Sequence, residues 1–306
     1  MTLGVWEPFD KRRIGVMDVS DYNGIIVSTS LQRTYRNLRT AIAGTVVLIT
    51  IAVGAAAAQV GLLPSISAYY YSSARNVFVG ALIAAAIAIL AISGRGLQRI
   101  VLDAAGLFAP LVALVPTPMR AGSVPGYETA CPANTTCVPV EVMPDIETGV
   151  VTYLIAGALT CAVALVVAIR GRSSVGALPS FVVAVAVLGS VLVTWMFARD
   201  AFVANAHLVA AVMFFGLIAL AAIANAFARP ASTMPDWHRV VYSVVAVAMT
   251  IDIIVIVVVA RFVDTTGFAL PPLLVGEFIA LLLFGVFWVL QSLETWDQID
   301  PAVRIS

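Results

Sequence analysis

Apolar runs long enough to cross a bilayer recur eight times along the chain, at 41–62, 77–93, 100–116, 150–169, 178–198, 203–227, 240–260 and 271–290. A helix rises about 1.5 Å per residue, so about 20 apolar residues cover the hydrocarbon core. The second and third runs are short, and the third carries Asp103 and a central Pro110. The pattern predicts an all-α polytopic transmembrane bundle of about eight spans. It divides the chain into an N-terminal arm over 1–40, a bundle over 41–291 with an external loop at 117–149, and a tail over 292–306. The arm is mixed and polar, with no short apolar core of the signal-peptide kind near Met1. The first run is therefore expected to act as an uncleaved anchor, with Met17 as an alternative start.

Composition sharpens this. Hydrophobic residues make up 61% of the chain and charged residues 11%, with a mean hydropathy of +1.02. Soluble domains carry about 25% charged residues, so bilayer lipid is the expected solvent and partner for most of the surface. The net charge of zero offers no basic face for a nucleic acid. Arg is used almost to the exclusion of Lys, with Lys11 the exception. Together with the abundance of Ala and Val, this suggests a bacterial chain and hence a bacterial cytoplasmic (inner) membrane.

Charge also orients the spans, because cytoplasmic segments carry the excess of Lys and Arg. With eight spans and both ends inside, the cytoplasmic segments hold Lys11, Arg12, Arg13, Arg33, Arg36, Arg39, Arg95, Arg99, Arg170, Arg172, Arg229, Arg239 and Arg304. Arg75, Arg120, Arg199 and Arg261 lie outside. If 100–116 failed to cross, every later segment would flip and the asymmetry would weaken. An N-in, C-in arrangement of eight spans is thus the better reading. Aromatic placement agrees, with Tyr69, Tyr70, Tyr71 and Trp195 toward the outer interface and Trp237, Trp288 and Trp296 toward the inner one.

The external loop is rich in Pro and too short for a domain, which suggests an ordered cap. Cys131 and Cys137 bracket Pro132-Ala133-Asn134-Thr135-Thr136, and close spacing in an oxidising compartment predicts a disulfide. Cys161, in mid-span, reads as a small core residue. The sequon at Asn134 matters only in a eukaryotic secretory setting.

Ionisable groups inside spans are costly unless partnered or wetted. Four occur: Asp103, His207, Asp252 and Glu277. Counting along the helices places His207 roughly 6 Å, Glu277 roughly 9 Å and Asp252 roughly 13 Å below the outer edge. Their shared half of the membrane points to one outward-facing polar pocket, a ligand or proton site formed by Arg75, His207, Asp252 and Glu277. In it, Arg75 or water would complete the acids. The alternative is a set of separate structural roles. Glu277 would then stabilise the first turns of its helix against the positive dipole end, His207 would be interfacial, and Arg75 would snorkel or bind a lipid phosphate. Asp103, near the inner edge, is placed to pair with Arg99 one turn earlier. Near Asp252 only Thr250 offers a polar neighbour.

The stretch Leu63-Pro64-Ser65-Ile66-Ser67-Ala68-Tyr69-Tyr70-Tyr71, followed by Ala74-Arg75-Asn76-Val77-Phe78-Val79-Gly80, resembles a family of uncharacterised bacterial integral membrane proteins. Val115-Pro116-Thr117, His207, and Gly276-Glu277 through Phe287-Trp288 extend the likeness across roughly residues 40–295. A fainter likeness is to the DRAM/Sfk-type membrane proteins, whose first external loop also bears Ser and Arg. The resemblance implies a polytopic membrane fold and assigns no activity and no residue roles.

Three functional classes fit to different degrees. A non-enzymatic membrane protein (a sensor, a lipid-binding protein or an envelope assembly factor) suits the short loops and the lack of a catalytic motif, and no protein partner is indicated. A secondary transporter or proton-linked carrier would use Asp252 and Glu277, but only Pro110 interrupts a span centre. An intramembrane hydrolase with a three-His zinc site is excluded, since His207 and His238 are the two histidines and fall on opposite sides. A serine triad of Ser65 or Ser67 with His207 and Asp252 is conceivable in residue type, without a nucleophile-elbow motif. No Walker, Rossmann or haem pattern appears, so no cofactor is expected.

Overall fold

The computed structural model describes residues 19–94, 96–133, 135–171, 178–227, 236–265, 267–294 and 296. Lys11, Arg12, Arg13, Met17, Arg95, Asn134, Arg172, Arg229 and Arg304, used above for topology, start site or sequon, lie outside the described residues.

Eight helices carry the apolar runs: α1 (Val19–Val60), α2 (Arg75–Ile92), α3 (Gly96–Leu114), α4 (Met143–Ile169), α5 (Leu178–Phe197), α6 (Arg199–Phe227), α7 (Asp236–Phe262) and α8 (Pro272–Glu294). Each is long and apolar enough to cross a membrane. The third run, with Pro110 inside α3, forms such a helix too. Two helices, α1 and α4, begin well before their apolar runs. The first extends back into the polar arm to Val19, and α4 starts at Met143, where Pro144 and Asp145 suit a first turn.

The hydroxyls inside the spans cost little because the helix backbone absorbs them. Thr45 donates to the Ile42 carbonyl, Thr50 to Val46, Thr160 to Ala156, Thr194 to Ser190 and Thr250 to Ala246. Thr250 is thereby turned away from any service to Asp252.

Packing follows a closed circuit. Helix α1 packs on α2, α2 on α3, α3 on α6, α6 on α7, α7 on α8, and α8 back on α1. The α4–α5 hairpin lies outside this ring of six helices, against α3 and α6. Most of the α4 and α5 surface is exposed, with Ile155, Leu159, Val163 and Val182 all more than half accessible, as lipid-facing apolar side chains should be. Among the ring helices, side chains meet in a single apolar cluster. Its largest fully buried members include Tyr242, Met249, Phe287 and Trp288. Trp288 is thus interior and not part of an interfacial belt.

An even number of spans leaves the connections 61–74, 115–142, 198 and 263–271 on one face of the bundle. Ion pairs tie these connections together: Arg75 with Asp145 at 2.8 Å, Arg120 with Asp264 at 3.0 Å, and Arg199 with Glu147 at 3.0 Å. At the other end, Arg99 and Asp103 stand 3.5 Å apart, one turn along α3, as the sequence suggested.

The segment after α3 is a small ordered cap. Two short strands, β1 (Met119–Arg120) and β2 (Thr136–Cys137), pair antiparallel with Met119 opposite Cys137. Cys131 and Cys137 form a disulfide with their Cα atoms 5.7 Å apart. Met119, Val124 and Cys131 are buried beneath it, and Tyr127 meets Tyr71 edge-on at 5.5 Å. At the tip, Glu128 accepts the Gly126 backbone N–H, which holds its carboxyl below the usual range.

The disulfide closes a loop of only 6 residues' separation, so its loss should cost no more than about 2.5 kcal/mol by the chain-entropy account. Denatured, oxidised protein should show one thiol to alkylating reagent, that of Cys161, and three after reduction. Three reactive thiols before reduction would contradict the pairing.

Candidate functional site

The connection between α1 and α2 combines backbone outside the α-helices with some of the deepest burial in the bundle. Helix α1 ends at Gly61, whose φ of +82° is the left-handed conformation that stops a helix at little cost. Its N–H still reaches the Ala57 carbonyl at 2.9 Å. The chain then enters a 3-10 turn, Ser67–Tyr71, in which every residue is buried. Buried backbone of this kind needs a partner for each N–H and C=O, and the side chains of Leu63 to Arg75 supply several.

Tyr69, fully buried, receives the Leu63 N–H at its hydroxyl (3.2 Å) and donates to the Gly61 carbonyl (3.0 Å). Ser65 Oγ accepts the Ala68 N–H at 3.0 Å. Tyr71 donates to the Thr117 carbonyl at 2.8 Å, pinning the turn to the cap. Tyr70 accepts from Arg75 Nη2 at 2.7 Å, with the guanidinium also over its ring. Burial pushes both phenols up from their ordinary value, with Arg75 opposing the shift, so both keep their protons at neutral pH.

Arg75 is consequently not a partner of the buried acids. It is the first residue of α2, at the rim of the bundle, and its charge is matched by Asp145 in the first turn of α4. The expected pairing with Asp252 or Glu277 fails because those acids lie deeper in the bundle, on α7 and α8, neither of which packs on α2.

Glu277 and His207 do converge, and Ser67 joins them. Glu277 Oε2 accepts the Ser67 N–H at 2.7 Å. The Ile66 N–H and the Ser67 hydroxyl are directed at the same carboxylate. On its other side, Ser67 Oγ lies 2.8 Å from His207 Nε2, and His207 Nδ1 lies 2.7 Å from the Val115 carbonyl. Side chains from α8 and α6 thus clamp the turn, and the histidine reaches on to the end of α3. His207 is only 4% exposed, which rules out an interfacial role.

Asp252 occupies a neighbouring position without joining the clamp. It is buried on α7, with Oδ1 3.6 Å from where a Cβ on Gly276 would sit. Its Oδ2 has no hydrogen-bond partner among the described residues. Gly276 permits this close α7–α8 approach, since an added Cβ would come within 2.7 Å of Ile256. The expected four-residue cluster therefore reduces to His207 and Glu277 joined through Ser67, with Asp252 behind them and Arg75 elsewhere.

The clamp faces a cavity of about 530 Å³ inside the helix ring. Ser65, Ser67, His207 and Glu277 give it a polar flank, while Phe78, Leu82, Val112, Phe215, Ile253 and Leu281 give it apolar walls. Its open end is bordered by Leu62, Pro118, Arg120 and Thr265, from three connections on the same face, and by Arg261 in the last turn of α7. Toward the other face it is stopped by aromatic rings. Phe214 meets Phe284 at 5.4 Å, Phe284 meets Trp288 at 6.2 Å, and Tyr242 packs on Phe287 at 6.0 Å.

A second set of buried polar side chains, Arg39, Asn225, His238 and Gln291, lies on α1, α6, α7 and α8 toward the face of the bundle opposite the cap. Its members stand out poorly in the sequence, because all sit near span ends where polar residues are ordinary. Among the described residues no three His, Cys, Asp or Glu side chains gather as they would around a metal.

Fold and site together define a multi-pass helical membrane protein with a lined cavity reaching one face. No family model, curated protein or solved structure matches the chain.

The clamp makes Glu277 the support of an irregular turn. Glu277→Ala should destabilise the protein by about 2 kcal/mol, because buried N–H groups lose a charged acceptor. Glu277→Gln, whose amide oxygen can still accept the Ser67 N–H, should retain most of that. Thermal melting in nanodiscs would show the difference, and equal melting of the alanine variant and wild type would contradict the assignment.

Proposed function

We propose that this chain is a binding protein of a bacterial cytoplasmic membrane, non-enzymatic in its main role, that takes an amphiphilic molecule from the outer leaflet into its cavity. The observation that carries this reading is the cavity itself. Its volume of about 530 Å³ falls in the range of small-molecule sites, of order 300–1,000 Å³. The lining divides between aliphatic and aromatic walls and one polar flank of Ser65, Ser67, His207 and Glu277. Such a division suits a molecule with an acyl chain and a hydrogen-bonding head.

The positive-inside asymmetry supports placing the cavity on the outer face. With the cavity facing outward, Arg33, Arg36, Arg39, Arg170 and Arg239 all fall on the opposite, cytoplasmic side. A disulfide in the cap also suits an oxidising exterior.

Binding is favoured over passage. A carrier needs a second gate, and the rings of Phe214, Phe284, Phe287, Trp288 and Tyr242 fill the bundle beneath the cavity. All are at most 2% exposed, and no break in the ring helices at that depth offers a hinge.

Purified in mild detergent and examined by native mass spectrometry, the chain should carry about one tightly held lipid-type molecule. Ala211→Trp, which places an indole in the cavity, should reduce that occupancy at least tenfold. Val163→Trp, on the lipid-facing surface of α4, should not. A wild-type chain with no retained amphiphile, or equal retention in the Ala211 variant, would refute the proposal.

A further inference from the structure

Ser67 is the hydroxyl on which the polar flank converges, and its surroundings are those of a nucleophile. The Val115 carbonyl can only accept, so the contact at 2.7 Å assigns the imidazole proton to Nδ1. In the neutral ring Nε2 is then an acceptor, 2.8 Å from Ser67 Oγ. The serine proton faces a base held in the required tautomer by a third group, which is the recurring arrangement of serine nucleophiles. In this chain a backbone carbonyl stands where a carboxylate is more usual. The Glu277 carboxylate lies beside the same hydroxyl and competes with Nε2 for its single proton. Ser67 also lines the cavity, which gives an acyl compound a route to the oxygen.

We propose that Ser67, with His207 as its general base, is an acyl-accepting nucleophile acting on an ester-bearing amphiphile bound in the cavity. This rests on the cavity being an amphiphile site. Ser67 Oγ forms a bond to the ester carbonyl carbon, and its proton passes to His207 Nε2. The ester C–O bond breaks, and the alcohol departs with that proton. Water, losing a proton to His207, attacks the acyl carbon; the acyl–Oγ bond breaks, His207 returns that proton to Ser67 Oγ, and a carboxylic acid is released. Glu277 is a positioning residue, fixing Ser67 through its backbone N–H.

The turn also sets the speed. A nucleophilic serine commonly relies on nearby N–H donors for the developing oxyanion. Here the Ser67 N–H is held by Glu277 and the Ala68 N–H by Ser65 Oγ. Loss of such a donor slows acyl transfer by about 10²–10³. The activity is therefore slow, and covalent capture reads it better than turnover.

The test uses an alkyl fluorophosphonate on the full chain in nanodiscs. Attack by Ser67 Oγ forms an O–P bond and expels fluoride, and peptide mapping locates the adduct. The wild type should be modified at Ser67, and Ser73→Ala, at an exposed position of the same loop, should label equally. His207→Gln keeps a donor for the Val115 carbonyl and an acceptor for Ser67, so a purely structural histidine would leave labelling unchanged. A base role predicts a loss of at least 10²-fold. No adduct, an adduct on another residue, or wild-type labelling of the His207→Gln variant would overturn the proposal. The small probe does not need a bound lipid. Labelling at Ser67 without lipid retention would overturn the binding reading alone, and lipid retention without labelling would overturn the nucleophile alone.

Discussion

Backbone amides buried beside a membrane interior must find partners within the protein, and the turn between α1 and α2 is where that constraint is most demanding. Helical backbone satisfies itself, but residues 61–74 do not. Several of their N–H and C=O groups are met by the side chains of Tyr69, Ser65, Ser72 and Glu277, most of them within the same short stretch. Leaving one such group unmet costs about 1–3 kcal/mol, so the turn stays buried only while these side chains hold it. Glu277 gains as well. A carboxylate at that depth facing lipid would cost about 2.5–3.5 kcal/mol, and the amides of the turn are its compensation.

The helix ring makes room for this arrangement. Six helices close on one another, and the outer part of the enclosed space is too wide to be filled by their own side chains. The turn fills some of it, and the cavity is what remains. Below, aromatic side chains from α6, α7 and α8 interlock and close the interior. The α4–α5 hairpin contributes no cavity wall. It anchors the rim through Asp145 and Glu147, which hold Arg75 and Arg199.

Helical class, span number and the cap disulfide were legible in the sequence, because each follows from a local property: run length, hydropathy, cysteine spacing. The depth count correctly brought His207 and Glu277 to one level, since helical rise is nearly constant. It could not give azimuth, which is why Asp252 falls in the α7–α8 seam and not on the cavity wall. The pairing of Arg75 was misjudged for a related reason: Asp145 lies in what reads as loop, and only the early start of α4 carries it to the rim. Ser67 was legible only as one of two serines, with Ser65, whose residue type would suit a triad with His207 and Asp252, and its place in the clamp was not. A serine in a loop is unremarkable until the loop is found to be buried, and the run of three tyrosines, read as an interfacial belt, was the available signal that the segment folds inward.

Accessibility of the cavity from the outer face tests this account most directly. With Cys161 replaced by Ala and the native disulfide intact, Ala211→Cys places a single thiol on the cavity wall. A membrane-impermeant maleimide added to intact cells should modify it, and prior incubation with a long-chain amphiphile should slow the reaction. Modification only after the cytoplasmic face is exposed, or none in a folded protein, would contradict an outward-opening cavity.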